Sequence, residues 1–146
     1  MIRKLFLAVA LVALFASYSH SGGDKDKYQS IEGTWLPTAA EFAGEKFPDE
    51  LRKTMKLVVN GETYTVTVGK SIDKGTLKLD LATKPKAMDI IGTEGPNKGK
   101  TFLAIYERSG ERLRICYDLD GKNRPTEFKT KAGTKTFLVT YEREKP

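Results

Sequence analysis

The sequence is poor in the residue types from which many active sites and metal sites are built. It contains one histidine, His20, and one cysteine, Cys116, in 146 residues. Because His20 lies where an apolar leader ends, the folded domain lacks the histidine that a Ser-His-Asp or Cys-His site needs. A zinc site of histidines or several cysteines is excluded for the same reason. The sequence therefore predicts no metal site, no cofactor and no catalytic centre of these classes.

A single cysteine also excludes an internal disulfide, so stability must come from an ordinary hydrophobic core. Leu113, Ile115 and Tyr117 share one face of a strand-like segment, and Cys116 lies on the other face with Arg114. Neighbouring arginines lower the pKa of a thiol, but no histidine is available to act as its base. We interpret Cys116 as a half-buried structural thiol.

The chain has no apolar run long enough to cross a membrane. Residues 5–16 form an unbroken apolar stretch of about 12 residues, whereas a spanning helix needs about 20. Arg3 and Lys4 precede it and small residues follow, which is typical of a secretory signal peptide. We expect residues 1–19 to be removed, with cleavage after Ser19 or Ser21, and a retained membrane anchor is the alternative. Residues 20–30 form a polar lead-in and 31–146 one domain, secreted or in the periplasm or cell envelope, without stable membrane insertion.

The excess of positive charge is mild, with a formal net charge of +6. The basic residues occupy turn-like segments instead of one helix face, which indicates a solvated surface and no nucleic-acid partner. These residues include Lys98, Lys100, Lys122, Arg124, Lys129 and Lys131.

Helix signals are scarce, and from Ile31 onward the apolar residues alternate with period two. The clearest unit is a hairpin of residues 56–59 and 62–68, with Tyr64, Val66 and Val68 on one face. Asn60 and Gly61 join its strands and are expected to supply the two positive φ values of a type I′ turn.

Eight strand-like segments follow one another through short turns. Besides the hairpin they are residues 32–42, 76–81, 87–91, 101–107, 112–117 and 135–143, with an optional short strand at 126–129. One short helix is predicted at 48–54. Residues 101–107 are apolar on both faces, so we expect something to cover their outer side. The fold class is all-β, an antiparallel meander barrel of about eight strands with one short helix. An open sandwich is the alternative.

Several motifs together resemble a known family. Gly33-Thr34-Trp35 resembles the lipocalin signature at the start of the first strand. The segments KPKAMDI (84–90), TEGPNKGKT (93–101), IYE (105–107), LRIC (113–116) and RPTEF (124–128) look like an exported bacterial, planctomycete-type lipocalin-like domain family without an assigned activity. The resemblance covers residues 31–143. It implies a lipocalin-like barrel and carries over no catalytic residue.

The lipocalin resemblance also implies a structural role for two residues. In lipocalins the first-strand tryptophan packs across the closed end of the barrel beneath an arginine of the last strand. Trp35 matches the tryptophan and Arg143 is the candidate for the arginine. Together they would form a cation–π plug.

Three segments invite functional interpretations that the residues do not favour. Residues 95–101 resemble a phosphate loop, but the glycine spacing is one residue short and a strand follows, so a turn is preferred. Residues 118–123 resemble a calcium loop, but the glycine comes too early and the twelfth-position Glu is missing. A connection is preferred there, with a weak surface calcium site as the alternative. Residues 124–128 are interpreted as a rigid turn in which Phe128 closes the barrel mouth, in preference to a rim site for an anionic ligand.

Catalysis by paired carboxylates stays open, and Glu107, Asp118 and Glu127 are available for it. A retaining glycosidase needs two such groups about 5 Å apart in a cleft, which a sequence cannot show. With 19 acidic residues, chance pairs are plentiful. We therefore expect that the protein is not an enzyme.

The leading functional hypothesis is a module that binds one small apolar or amphipathic molecule inside the barrel. The predicted wall residues are Tyr64, Val66, Leu77, Leu79, Met88, Phe102, Tyr106, Leu113, Ile115, Phe137 and Val139. In the alternative, these side chains fill the interior completely. The protein would then be a non-enzymatic interaction or structural module of the cell envelope, with an exposed apolar patch near Leu103 and Ile105.

Overall fold

The computed structural model describes Tyr28 and residues 30–145. The predicted signal peptide, residues 1–19, lies outside the described residues, as does most of the polar lead-in.

The described residues form nine strands and one short helix. In chain order they are β1 (Gly33–Phe42), β2 (Glu45–Lys46), α1 (Asp49–Arg52), β3 (Lys56–Asn60), β4 (Thr63–Val68), β5 (Ser71–Asp80), β6 (Lys86–Glu94), β7 (Thr101–Ser109), β8 (Arg112–Asp118) and β9 (Thr136–Arg143). Each of the eight long strands begins or ends within a few residues of a glycine or proline turn, which is why they were recognisable in the sequence.

The strands close into a barrel. β1 and then β3 to β9 pair antiparallel with their neighbours in the chain, and β9 pairs back onto β1. β2 pairs with the end of β1 and lies outside the ring. The predicted all-β class, an antiparallel barrel of eight strands with one short helix, is confirmed, and the open sandwich is wrong.

Two strands differ from the prediction because local sequence does not reveal their pairing. β5 begins at Ser71, five residues before the predicted start, and its first residues are mostly polar. A register shift in its pairing with β6 falls between Lys74 and Gly75. β2 was not predicted, and the optional strand at 126–129 is absent, since these residues form bends within a long connection.

The hairpin of β3 and β4 has a different turn from the one expected. Asn60 pairs with Thr63, so the two loop residues are Gly61 and Glu62. Of Asn60 and Gly61 only the glycine has a positive φ, +57°. Type I′ is therefore wrong, because it needs two positive φ values. Glycine first in a two-residue loop is the pattern of a type II′ turn.

The inward faces of the strands fill the barrel with a single core. Trp35, Leu113, Ile115 and Val139 are at most 1% exposed, and their contacts extend from β1 across β8 and β9. An eight-stranded barrel is just wide enough for side chains to fill it. The sizes of the inward side chains therefore determine where space remains inside the barrel.

One end of the barrel is closed by Trp35. Its indole Nε1 donates a hydrogen bond to the carbonyl of Ile31 at 2.9 Å. The guanidinium carbon of Arg143 lies 4.5 Å from the centroid of the Trp35 ring, and that of Arg108 lies at 5.8 Å. The contact implied by the lipocalin resemblance is therefore present in the structure.

Gly33 leaves the space that this contact requires. A Cβ atom there would lie 2.6 Å from Nη1 of Arg143, and φ at Gly33 is +127°, a backbone conformation that favours glycine. The same Nη1 donates to the carbonyl of Glu32. The glycine two residues before Trp35 thus has a steric reason, because the arginine must approach the backbone to cover the indole.

The outer side of β7 is covered by the connection between β8 and β9. Ile105 is 2% exposed and Cys116, its cross-strand partner, is 0% exposed. The Cys116 thiol donates to the carbonyl of Lys129 at 3.5 Å. The predicted cover is confirmed, and the predicted apolar patch at Ile105 is wrong.

Two details of this cover correct the sequence interpretation. Cys116 is fully buried instead of half-buried, and burial raises the pKa of its thiol. Phe128 packs its ring 4.4 Å from the guanidinium carbon of Arg114, on the outer face of β8. It therefore does not close the barrel mouth.

Replacing the indole should weaken the closed end. Trp35→Phe removes buried volume, the hydrogen bond to Ile31 and part of the cation–π contact. We expect the free energy of unfolding to fall by about 2–3 kcal/mol in urea titrations. Arg143→Lys should cost about 1 kcal/mol, whereas Arg112→Lys, an exposed arginine of the neighbouring strand, should cost nothing measurable. An unchanged midpoint for Trp35→Phe would show that the plug does not stabilise the barrel.

Candidate functional site

The interior of the barrel reaches solvent at the end opposite Trp35, which we call the mouth. The connections that leave this end are residues 43–55, 69–70, 95–100 and 119–135. Between them lies a pocket of about 170 Å³, the mouth pocket, which extends inward to the core. Its walls are mainly aromatic and aliphatic and include Met55, Tyr64, Val68, Phe102, Tyr117 and Phe137.

A second cavity lies deeper in the barrel and is much smaller, about 30 Å³. Tyr64, Val66, Ile90 and Tyr117 line both spaces, so the two are neighbours. A cavity of about 150 Å³ accommodates benzene, and a single water needs about 10–15 Å³. The deep cavity is therefore of water size, and of these two spaces inside the barrel only the mouth pocket has room for an organic molecule.

Eight of the eleven predicted wall residues belong to the buried hydrophobic core, and Val66, Phe102 and Phe137 are partly buried and pack against it. Four of them line the mouth pocket: Tyr64, Val66, Phe102 and Phe137. Six line the deep cavity: Tyr64, Val66, Leu77, Met88, Leu113 and Ile115. The remaining three, Leu79, Tyr106 and Val139, line neither space. Their inward placement is thus found, whereas contact of any of the eleven with a ligand stays a prediction.

An aromatic cluster forms one wall of the mouth. The ring of Phe137 lies 5.9 Å from that of Tyr117, 5.2 Å from that of Phe47 and 6.2 Å from that of Phe42, measured between centroids. The tilted and edge-on arrangements are those that aromatic pairs prefer. The wall is therefore preformed, and a ring that enters the pocket meets other rings.

Two tyrosine hydroxyls supply polarity inside this apolar wall. The hydroxyl oxygens of Tyr117 and Tyr141 are 3.0 Å apart and share a hydrogen bond. Burial raises the pKa of Tyr141 to about 12 and the pKa of Tyr117 well above its ordinary value. Both hydroxyls are therefore neutral at physiological pH. Since only one of the two protons lies between them, the pair retains a donor and acceptor lone pairs for a ligand.

One charged side chain, Asp73, stands among the residues that line the mouth pocket within the described part of the chain. Its Oδ1 accepts from the backbone N–H of Asn97 at 3.0 Å, and its Oδ2 accepts from the Asn97 side-chain amide at 2.9 Å. Together with burial, the negative charge of Asp73 raises the pKa of Tyr64. The Asp73 carboxylate therefore holds the 95–100 connection through Asn97 and also affects the electrostatics of the pocket.

The loop that carries Asn97 is the motif that resembled a phosphate loop. It joins β6 to β7 with no helix between them, so the predicted turn is confirmed. Gly95 has φ +90°, and a Cβ there would lie 2.8 Å from Oδ1 of Asp73 and 2.3 Å from the carbonyl of Ile72. The glycine lets the loop approach β5 closely enough for Asn97 to hold Asp73.

Eight residues of the pocket were missing from the predicted set, and four of these carry polar groups: Asp73, Asn97, Tyr117 and Tyr141. Tyr117 and Tyr141 share strand faces with Ile115 and Phe137, so alternation alone could have included them. Asp73 and Asn97 carried no such signal, because Asp73 lies in the part of β5 that was not predicted.

The other candidate segments are occupied by internal contacts. Arg124 donates to the carbonyls of Met88 and Ala104, at 3.1 and 2.9 Å, and pairs with Asp89. Its guanidinium therefore anchors the 119–135 connection to β6 and β7, which favours the rigid turn over an anion site at the rim.

The carboxylate of Asp118 serves its own loop. Backbone N–H groups of Asp120, Lys122 and Asn123 donate to it at 3.2, 3.0 and 2.7 Å. Burial alone would raise the pKa of Asp118, but these hydrogen bonds outweigh it and lower the pKa below the ordinary 3.8. Among the residues that the structure describes, no group of three or more potential metal-ligating side chains occurs.

The three carboxyl residues considered for catalysis do not line the mouth pocket. Glu107 pairs with Arg114 on the outer face, Asp118 is taken up by its loop, and Glu127 is exposed. That the protein is not an enzyme stays a prediction.

In comparisons with known proteins, no family model and no curated protein sequence matches this chain. In the described part of the chain, no helix is long and apolar enough to cross a membrane.

Asp118 gives a prediction about acid stability. Its pKa is lower in the folded state than in the unfolded state, so its contribution is present above about pH 4 and is lost as pH falls through the folded pKa. Asp118→Asn should lower the free energy of unfolding by about 1–2 kcal/mol at pH 7. The difference from the unmodified protein should shrink below pH 4 in urea titrations.

The matched control is Asp120→Asn, which alters an exposed carboxylate of the same loop that pairs with Lys135. It should change the stability by less than about 0.5 kcal/mol. An Asp118→Asn difference of equal size at pH 3 and pH 7 would contradict this role for the carboxylate.

Proposed function

We propose that this protein is an exported, non-enzymatic binding module that holds one small amphipathic molecule in the mouth of a lipocalin-like barrel. The observation that carries the proposal is the mouth pocket, an apolar recess of about 170 Å³ with a neutral hydroxyl pair in its wall. Most small-molecule sites combine such apolar walls with a few convergent polar groups. Export to the periplasm or cell envelope, and membership of the planctomycete-type lipocalin-like family, belong to the same proposal.

The size of the pocket restricts the ligand. Sites for drug-sized molecules measure about 300–1,000 Å³, well above this recess. Because the deep cavity adds only about 30 Å³, a long acyl chain has no channel to enter. A molecule with one small ring or a short chain, bearing one polar group, fits the volume and the hydroxyl pair.

A second candidate function is an interaction module of the cell envelope. Leu51 on α1 is 40% exposed and Ile72 at the start of β5 is 52% exposed. Both lie on elements at the mouth end, so a protein partner would cover this end of the barrel. The sheltered hydroxyl pair favours the small-molecule function, because a flat protein contact has no need of a recess.

Filling the pocket tests the proposal. In Val68→Phe a larger side chain occupies the recess, so binding of a neutral aromatic probe such as benzyl alcohol should weaken at least about tenfold. Thr67→Phe, which adds the same ring on the opposite strand face, should leave binding unchanged. Titrations followed by NMR of the aromatic resonances measure both.

Native mass spectrometry of the exported protein, purified without delipidation, provides the complementary measurement. An added mass that is lost on denaturation would identify the chemical class of the bound molecule. No probe binding and a bare mass would together favour the interaction module.

A further inference from the structure

We propose that the mouth pocket selects small aromatic molecules that carry a protonated amine, with Asp73 binding the ammonium group and the aromatic wall holding the ring. This inference rests on the proposed binding function and specifies the ligand class of the same site. No other charged side chain of the described residues lines the pocket.

The position of Asp73 follows from the register of the sheet. Asp73 pairs with Val66 of β4, which itself lines the pocket. Alternation along β5 puts Asp73 on the same face as Gly75 and Leu77, the face that points into the barrel. A carboxylate at an inward position of a barrel strand is unusual, because desolvation of a charge is costly unless a partner compensates it.

Asn97 compensates Asp73 only in part. Each carboxylate oxygen accepts one hydrogen bond from Asn97, whereas an ionised carboxylate has about four lone-pair sites. Both donors are neutral amide groups, and Asp73 has no ion pair among the described residues. The site therefore has a fixed, oriented negative charge with remaining hydrogen-bond capacity, which an ammonium group would satisfy.

The remaining walls suit the rest of such a molecule. Phe102, Tyr117 and Phe137 offer ring faces and edges to an aromatic ring. The same faces attract a cation that lies over them. The hydroxyl pair of Tyr117 and Tyr141 can also accept from the ammonium, because both groups are neutral and keep acceptor lone pairs.

Several lysines on the rim of the mouth carry the opposite charge and must be weighed against Asp73. Lys70, Lys74, Lys98 and Lys100 are all exposed there. Charges in solvent are screened over about 8 Å at physiological ionic strength, and exposed pairs contribute little. Inside the pocket an anionic ligand would meet Asp73 directly. The short-range interaction with Asp73 therefore decides the selectivity at physiological salt.

Three probes of similar size separate charge from shape: benzylamine, benzyl alcohol and benzoate. They are titrated into the exported protein at about 150 mM salt, with NMR of the aromatic resonances as readout. We expect benzylamine to bind about tenfold tighter than benzyl alcohol, as one partly desolvated charge pair contributes, and benzoate to bind more weakly than either.

Asp73→Asn tests the carboxylate itself. The substitution keeps the shape, and rotation of the Asn97 amide preserves both contacts. Benzylamine affinity should fall to that of benzyl alcohol, while the alcohol affinity stays the same. Glu94→Gln removes an exposed charge from the same rim and should leave all three affinities unchanged. Retained alcohol binding shows that the Asp73→Asn protein is folded.

The outcomes separate this inference from the proposed function. If benzyl alcohol binds and benzylamine binds no tighter, the selectivity is wrong and the binding function stands. An Asp73→Asn protein that keeps the benzylamine preference also overturns the inference. Should the variant fail to fold, the three-probe series on the unmodified protein still decides. If none of the probes binds, the binding function fails together with its selectivity.

Discussion

Pairing of β9 with β1 is the constraint on which the rest of the structure depends. It turns an open meander into a ring, and its register places Trp35 opposite Arg143 at one end and Phe42 opposite Phe137 at the other. One strand pair therefore builds the closed end and one wall of the mouth. A shift of one residue would turn every inward side chain outward, so both ends depend on the same register.

The deep interior and the mouth divide the apolar residues between two roles. Residues near the closed end are packed so completely that only a cavity of water size is left. Toward the mouth the side chains include the rings of Tyr117 and Phe137 with polar groups among them, and the packing opens. The filled half near the closed end gives the stability that a barrel without disulfides needs. The half near the mouth can therefore keep a recess.

The sequence predicted the features that depend on neighbouring residues and missed those that depend on contacts between distant parts of the chain. Strands β4, β7, β8 and β9 were predicted to within about two residues. Alternation of apolar and polar residues and flanking glycines are both recognisable from neighbouring positions in the sequence. The early part of β5 was missed because its residues are mostly polar, and Ile72, the apolar residue next to Asp73, is exposed.

The site was less predictable than the fold for the same reason. Asp73 is held by Asn97, 24 positions away, through a loop that depends on Gly95. The hydroxyl contact between Tyr117 and Tyr141 depends on the register of β8 against β9. Sequence patterns place each tyrosine on a face, but only the assembled sheet brings the two hydroxyls together.

The two ends of the barrel differ, because the pairing of Trp35 with Arg143 closes only one of them. The chain enters β1 and leaves β9 at the closed end, so the connections at the mouth are all internal to the chain. A tether attached before β1 or after β9 would hold the barrel by its base, with the mouth pointing away from the support. The protein could be immobilised on a surface through either of these points without obstructing entry to the recess.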